Sequence, residues 1–141
     1  MTKTITIDGA AGEGGGQVLR TALGLSMVTG QPFKMTNIRA KRKRTGLMRQ
    51  HLTAVHPAAE ISNARCQGAT PRSQELTFSP GAIRGGNYQF AVGTAGSAGL
   101  VLQTILPALL TADTPSCVTI EGGTHNPWAP PFDFLESAFF P

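Results

Sequence analysis

Polar and apolar residues alternate near the start of the chain, over residues 4–7, and the alternation ends at Asp8 and Gly9. This period of two predicts a half-buried β-strand. After a glycine-rich turn, apolar residues recur at the spacing of one helix face until Gly30 and Pro32 stop the pattern. The residues on that face are Val18, Leu19, Ala22, Leu23, Ser26 and Met27. The pattern therefore predicts a strand, a glycine loop and a helix in succession.

A second strand and a second helix follow. Residues 33–38 have the pattern of a strand. The next apolar residues fall at i, i+4, i+7 and i+11, which places them on one helix face; they are Met48, Leu52, Val55 and Ala59. Pro57 lies inside this helix, where it removes a backbone hydrogen bond and favours a kink. Two short strands are predicted after it, over residues 64–68 and 75–79.

A shift of 83 residues superimposes the second part of the chain on the first. It places residues 18–21 on residues 101–104, Gly16 on Gly99, and the strand ending at Ile7 on residues 88–90. It also places the strand through Met35 and Asn37 on residues 118–120, and Leu47 on Pro130. The alternative is a chance likeness of two strand–loop–helix units.

The repeat predicts an α/β fold of repeated β-α-β-α-β-β units. Residues 1–83 would form one complete unit, and residues 84–141 a second unit that is truncated at its C-terminal end. We therefore expect the front part of a longer repeat-built protein, with an uncovered sheet edge or helix face. Such a chain is expected to self-associate or to bind a complementary C-terminal fragment.

The composition fits one globular domain, with 141 residues of which 40% are hydrophobic. The chain has no apolar run long enough to cross a membrane and no apolar signal core at its start, so we expect a cytoplasmic protein with no membrane partner. Cys66 and Cys117 lie 51 positions apart and form no CxxC motif. Both are expected to be buried as small apolar residues.

Half of the positive charge is concentrated in one segment. Residues 39–49 hold six of the twelve Lys and Arg residues and no acid, so the rest of the chain has a net charge of −2. Such a cluster is typical of a site for nucleic acid or nucleotide phosphate, and the alternative is a solvated loop. Arg39, Arg42 and Arg49 could bind phosphates through two N–H groups each. His51 is a candidate general acid/base or phosphate donor.

The other two histidines, His56 and His125, are expected to have no catalytic role.

The glycine-rich segment at residues 9–17 can turn backbone N–H groups toward an anion at the start of the following helix. It is neither a P-loop nor a G-x-G-x-x-G motif. Glu13 would repel a phosphate there unless a divalent cation lay between them. The alternative is a tight turn that carries an exposed acid. A second segment, residues 122–134, is rich in Pro and aromatic residues and could stack on a base, unless Trp128 and Phe134 pack in the core.

Four segments together resemble RNA terminal-phosphate cyclase, an ATP-dependent enzyme that converts an RNA 3′-phosphate into a 2′,3′-cyclic phosphate. They are residues 13–20 (EGGGQVLR), 49–55 (RQHLTAV), 101–104 (VLQT) and 122–131 (GGTHNPWAPP). The resemblance covers essentially the whole chain in order. It implies a fold of repeated β-α-β-α-β-β units, with ATP, Mg²⁺ or another divalent cation, and RNA 3′-phosphate ends as ligands.

The resemblance also implies a role for individual residues. In the family a histidine is adenylated, AMP is passed to the RNA phosphate, and the neighbouring 2′-hydroxyl closes the ring. The residues that resemble nucleotide contacts are Glu13 as the metal-proximal acid, Arg20 as a phosphate ligand, Gln103, Pro130 and Phe134. The residues that resemble contacts to the phosphates of ATP or RNA are Arg39, Arg42, Gln50 and His51.

No position of this chain matches the family's nucleophilic histidine, so no catalytic residue is expected within it and the chain alone is expected to be inactive. The basic run is denser than the family pattern, at Lys41, Lys43 and Arg44. Two alternatives remain open. One is a non-catalytic RNA- or nucleotide-binding module, and the other is a cyclase-like factor that acts in ribosomal RNA processing.

Overall fold

Strands and helices alternate along the chain in the computed structural model, which describes residues 3–124 and 129–140. The first elements are β1 (Ile5–Asp8), α1 (Gly16–Thr29), β2 (Phe33–Thr36), α2 (Arg49–Ser62), β3 (Arg65–Gln67) and β4 (Leu76–Ser79). They are followed by β5 (Asn87–Ser97), α3 (Ala98–Leu109) and β6 (Cys117–Gly123), and by a short helix α4 (Phe132–Phe134) that continues into a π-helical turn (Leu135–Phe139). The predicted elements are all present, and the fold is α/β.

The strands form two sheets. In the first, the order is β1-β2-β4-β3, with β1 parallel to β2, and with β4 antiparallel to both β2 and β3. In the second, β5 pairs with β6 in parallel. A parallel pair needs a crossover connection, and here α1 connects β1 to β2 and α3 connects β5 to β6.

The main core lies between the first sheet and the helices. Phe33 and Met35 of β2 point inward and are almost completely buried, while the intervening Lys34 is more exposed and forms an ion pair with Glu75 at 3.6 Å. The ring of Phe33 stacks on that of Phe78 with centroids 5.8 Å apart. This alternation is the period of two expected for a sheet with one buried face.

Helix α2 buries a wider surface than its predicted apolar stripe. Leu52 and Val55 are buried as expected, but Ala59 is only half-buried, and Ala58 and Ile61 are fully buried. The stripe was wrong at this end because α2 packs against three neighbours, α1, α3 and β5. Burial on several sides removes the single polar face from which helix orientation is normally predicted.

The β5–α3–β6 segment has the same strand–helix–parallel strand order as β1–α1–β2. Its register differs: Ile7 lies opposite Met35 in the first sheet, whereas Phe90 lies opposite Ile120 in the second, and a shift of 83 would place Val118 there. The connection before β6 is thus two residues longer. An even difference leaves the same alternate side chains facing inward. The division of the chain into units at residue 83 stays a prediction.

The expectation that both cysteines are buried is wrong for Cys117. Cys66 is half-buried in β3, and burial raises the pKa of its thiol. Cys117 is exposed at the first position of β6. Val118 and Ile120 face the core, so the alternation along the strand directs Cys117 to the opposite face. None of the described helices is both long and apolar enough to span a membrane.

Candidate functional site

The glycine-rich loop connects β1 to α1 through two residues in the left-handed conformation, Gly12 and Gly14, both with φ of 61°. The Asp8 carboxylate accepts a 3.0 Å hydrogen bond from the backbone N–H of Ala10 and so holds the first turn of the loop. Gly15 is the N-cap of α1, and no side chain caps the helix there. The first N–H groups of α1 are therefore not capped by a side chain.

Three side chains from three separate elements meet at this loop. A β-carbon added to Gly16 would lie 2.8 Å from Cδ2 and Nε2 of His51 and 3.1 Å from Nη1 of Arg20. A β-carbon added to Gly15 would lie 3.0 Å from Nη2 of Arg42. Arg20 is one turn further along α1, Arg42 is in the loop after β2, and His51 is in the first turn of α2. The structure thus brings together three of the residues predicted to bind phosphate.

Arg20 has an unsatisfied donor. Its Nε is buried and has no hydrogen-bond partner among the described residues, and burial lowers the pKa of the guanidinium. A buried donor that is left without an acceptor costs about 1–3 kcal/mol. Nη1 of the same guanidinium lies beside Gly16, where an anionic oxygen could accept a charge-assisted hydrogen bond from it.

His51 is held as a neutral side chain. It is 2% exposed, and its Nδ1 accepts a 2.9 Å hydrogen bond from the backbone N–H of Met48. Burial, followed by the positive charges of Arg39 and Arg20, lowers the pKa of His51 to about 4. Because Nδ1 is the acceptor, Nε2 carries the proton, and it lies 3.5 Å from Nε2 of Gln50. At neutral pH His51 can therefore donate from Nε2 to a phosphate, but it is not protonated to act as a general acid.

Arg39 supports the basic loop as well as adding charge to it. Its Nη1 donates hydrogen bonds to the carbonyls of Arg44, at 2.6 Å, and Gly46, at 3.4 Å. Burial, and then the charge of Arg42, lower the pKa of Arg39. Lys41, Arg42, Lys43 and Arg44 are all exposed. The segment is thus a folded loop that presents uncompensated positive charge.

Glu13 is exposed in the glycine loop, one residue after Gly12. In the parts of the chain that the structure describes, no three His, Cys, Asp or Glu side chains cluster as a metal site would require. A lone carboxylate still fits Mg²⁺ that arrives with a nucleotide, because Mg²⁺ commonly takes one or two carboxylates together with phosphate oxygens and water. The role of Glu13 beside a metal stays a prediction.

The remaining predicted contacts lie on α2, on α3 and near α4. Gln50 is exposed at the start of α2, Gln103 is exposed on α3, and Pro130 is half-buried before α4. Phe134 is 51% exposed, so the alternative that it packs in the core is wrong. The roles of Gln103, Pro130 and Phe134 in nucleotide binding stay predictions. His125 and Trp128, whose roles the sequence left open, lie outside the described residues.

Sequence reasoning missed Arg72. It lies in the loop between β3 and β4, outside the basic segment, and nothing in its local sequence distinguishes it from an ordinary surface arginine. In the structure it shares a groove of about 620 Å³ with Arg39, Arg44 and Arg49. The proximity of Arg72 to these arginines depends on the fold, because the loop between β3 and β4 is hydrogen-bonded to the basic loop. In this contact, Leu47 N–H donates to the carbonyl of Ser73 at 2.9 Å.

Known proteins resemble this chain over nearly all its length. The sequence profile of the RNA 3′-terminal phosphate cyclase family matches residues 11–141. Two proteins named RNA 3′-terminal phosphate cyclase, from Ectopseudomonas mendocina and Koribacter versatilis, are each 66% identical over 137 residues, which are 97% of this chain and 40% and 39% of those proteins. A third, from Ralstonia nicotianae, is 64% identical, over 97% of this chain and 40% of that protein. The chain thus spans about two fifths of the length of these curated relatives. It belongs to the RNA 3′-terminal phosphate cyclase family.

Proposed function

We propose that this chain forms the nucleotide- and RNA-phosphate-binding part of an RNA 3′-terminal phosphate cyclase. The observation that carries the proposal is the convergence of Arg20, Arg42 and His51 on the backbone of Gly15 and Gly16. Two guanidinium groups and a neutral imidazole N–H are all hydrogen-bond donors, and none of the three is acidic. Nη1 of Arg20 lies beside Gly16 and Nη2 of Arg42 lies beside Gly15, so both guanidinium groups are placed to donate to one anion.

The proposed reaction converts an RNA 3′-phosphate into a 2′,3′-cyclic phosphate with the use of ATP. ATP supplies the activating AMP group when it is bound, and a divalent cation such as Mg²⁺ beside Glu13 balances part of its charge. Arg20 and Arg42 hold phosphate oxygens at the start of α1, and His51 donates a hydrogen bond from Nε2. These residues orient and neutralise anionic groups, and His51 is neutral in the chain without ligand, because burial and two arginines lower its pKa to about 4.

The proposal extends to the other residues that match the family's motifs. Gln103, Pro130 and Phe134 would contact the nucleotide, and Arg39 and Gln50 would contact RNA phosphates. The resemblance in sequence supports these roles.

This chain alone is proposed to bind these ligands without completing the reaction, since no position in it matches the family's adenylated histidine. Its function by itself is then that of a non-catalytic RNA- and nucleotide-binding module. A cytoplasmic location is part of the same proposal.

Calorimetric titration with ATP and MgCl₂ tests the site. Arg20→Met keeps the length of the side chain but removes its charge and donors, and it should weaken ATP binding about 10- to 100-fold, because a hydrogen bond to a charged group contributes about 1.5–3 kcal/mol. Arg84→Met is the matched control, since Arg84 is exposed and remote from the glycine loop in the sequence. Equal ATP affinity of the wild-type chain and the Arg20→Met variant, with both folded, would contradict the proposal.

The second sheet offers a surface for a partner. Among the described residues β5 pairs only with β6, so each strand has an outer edge without a neighbouring strand. Backbone N–H and C=O groups on such an edge can pair with another chain. We propose that a second copy of this chain or a complementary C-terminal fragment of the family covers it. Size-exclusion chromatography with light scattering tests self-association, and a monomer at all concentrations would contradict that half of the proposal.

A further inference from the structure

A groove lined by four arginines runs beside the anion site. It lies between the basic loop, the start of α2 and the loop between β3 and β4. We call it the arginine groove and define it by Arg39, Arg44, Arg49 and Arg72, together with Gln50 and Pro71. Its volume is about 620 Å³, and none of the residues that line it is acidic or aromatic.

The walls of the arginine groove are held together by the backbone. Ile38 N–H donates to the carbonyl of Gln74 at 3.0 Å, and Arg72 N–H donates to the carbonyl of Leu47 at 2.6 Å. Gly46 adopts φ of 81° against the carbonyl of Arg72, where a β-carbon would collide. The position of Arg72 is therefore fixed by the fold, although its side chain is exposed.

The charge of the groove is not neutralised by the protein. Over residues 3–124 and 129–140, the ion pair that the structure contains joins Lys34 to Glu75, and neither residue lines the groove. Four arginines that line one concave surface attract a polyanion, and a guanidinium can bind a phosphate through two parallel N–H groups. The absence of an aromatic residue from the lining indicates contacts to a backbone, not stacking on bases.

The groove borders the anion site through one residue of its lining. Gln50 lines the groove, and its Nε2 lies 3.5 Å from Nε2 of His51. At the other end, Arg49 and Pro71 also line a second groove between α2 and β5. A chain of phosphates that ends beside His51 would therefore enter the groove, whose lining includes Arg49 and Arg72.

We propose that the arginine groove binds the backbone phosphates of the nucleotides that precede the 3′-terminal phosphate of a single-stranded RNA. Arg49 and Arg72 contact those internal phosphates, while the terminal phosphate lies beside Arg20 and His51. This inference rests on the proposed function. Because the contacts are to phosphates, binding in the groove is independent of base sequence and depends strongly on salt.

The test compares two double variants with the same net charge. Arg49→Ala with Arg72→Ala removes the proposed contacts. Arg65→Ala with Arg84→Ala removes two exposed arginines that do not line the groove. Binding of a 3′-phosphorylated single-stranded RNA of about eight nucleotides is measured by fluorescence anisotropy at several salt concentrations. Uridine 3′-monophosphate, which has no internal phosphate, is titrated in parallel by calorimetry.

The groove variant should bind the oligonucleotide with a log–log salt slope lower by about 1.4, because each phosphate that is no longer bound by an arginine lowers the slope by about 0.7. Its affinity for uridine 3′-monophosphate should be unchanged, and the control variant should retain the wild-type slope. Equal salt slopes for the wild-type chain and the groove variant would overturn the proposal that the groove binds RNA phosphates. Equal reductions of the slope in both variants would overturn it as well. Loss of uridine 3′-monophosphate binding in the groove variant would also overturn it, by placing the two arginines at the terminal phosphate.

Two further outcomes distinguish a failure of the arginine groove from a failure of the proposed function. Failure of the wild-type chain to bind uridine 3′-monophosphate would count against the proposed function. The salt slopes would still show whether the groove binds the internal phosphates of the RNA. Polyglutamate offered at the same total charge tests an acidic protein as the occupant. If it competed as well as the RNA, the groove would be a general polyanion surface and the assignment to RNA would be overturned.

Discussion

The backbone N–H of Met48 donates a 2.9 Å hydrogen bond to Nδ1 of His51, and this contact determines which nitrogen of the ring faces the glycine loop. With Nδ1 engaged as an acceptor, Nε2 carries the proton and points toward Gly16. The same contact joins the last residue before α2 to the first turn of the helix. One hydrogen bond therefore both orders the start of α2 and presents a donor to the anion site.

The neutral state of His51 predicts a dependence of stability on pH. Burial and two arginines hold its pKa at about 4 in the folded chain, against an ordinary value of 6.5. Between these values the unfolded chain binds a proton that the folded chain does not, so the free energy of unfolding falls as the pH is lowered from about 6.5 to about 4. The total loss is about 3 kcal/mol, at about 1.4 kcal/mol per pKa unit.

Urea denaturation across this pH range measures the effect. His51→Asn retains an acceptor near the position of Nδ1 but does not titrate, so it should lose this part of the pH dependence. His56→Asn is the control, because His56 is on the same helix and exposed. If His56→Asn, and not His51→Asn, flattened the profile, the assignment to His51 would be wrong.

Much of the fold follows from local pattern. The alternation over residues 4–7 predicts β1, and the helical spacing predicts α1, whose buried residues Leu19, Ala22, Leu23, Ser26 and Met27 all lie on the predicted face. The stripe of α2 was predicted less well, since three neighbours bury more of its surface, including Ala58 and Ile61. Cys117 was misplaced because residue type alone does not say which face of a strand a side chain occupies.

Gly16 is predicted to be required for anion binding more than for folding. In Gly16→Ala the new β-carbon would lie 2.8 Å from Nε2 of His51 and 3.1 Å from Nη1 of Arg20, so both proposed phosphate donors would be displaced. We expect ATP affinity to fall at least about tenfold, equivalent to about 1.4 kcal/mol. Calorimetric titration with ATP and MgCl₂ measures it.

Gly24→Ala is the matched control within the same helix, because its β-carbon would meet only the carbonyl of Thr104 at 3.4 Å. It should leave ATP affinity unchanged and raise stability by up to about 1 kcal/mol through helix propensity. A Gly16→Ala chain that bound ATP as tightly as Gly24→Ala would show that the phosphate lies elsewhere.

The candidate site was only partly predictable from the sequence. Arg20, Arg42 and His51 come from motifs that are far apart in the chain, and the resemblance named them without their distances. That they meet at Gly15 and Gly16 depends on how α1, α2 and the basic loop pack. No sequence pattern indicates Arg72, because backbone hydrogen bonds between two loops place it in the same groove as Arg49.

Gly46 is predicted to be essential for the arginine groove. Gly46→Ala places a side chain in a left-handed conformation, with φ of 81°, directly against the carbonyl of Arg72. Gly30→Ala has a similar strain, with φ of 73°, but open space around the new β-carbon. Gly30→Ala should therefore cost about 1 kcal/mol, and Gly46→Ala about 1–3 kcal/mol more. Thermal or urea unfolding measures both, and equal losses would show that the loop holding Arg72 can move away freely.

The last prediction is that this chain binds ATP without forming a covalent adenylate. A histidine nucleophile attacks through an unprotonated ring nitrogen. In His51, Nδ1 accepts from Met48 and Nε2 carries the proton, and the ring is 2% exposed. His56 is exposed on α2, and the resemblance to the family assigns the role of nucleophile neither to it nor to His125. Incubation with ATP labelled at the α-phosphate and MgCl₂ should leave the denatured chain unlabelled, while the full-length relative from Ectopseudomonas mendocina serves as the comparison. Stoichiometric label on any of the three histidines would show that the chain carries a nucleophile of its own, and its proposed role as a binding module alone would have to be abandoned.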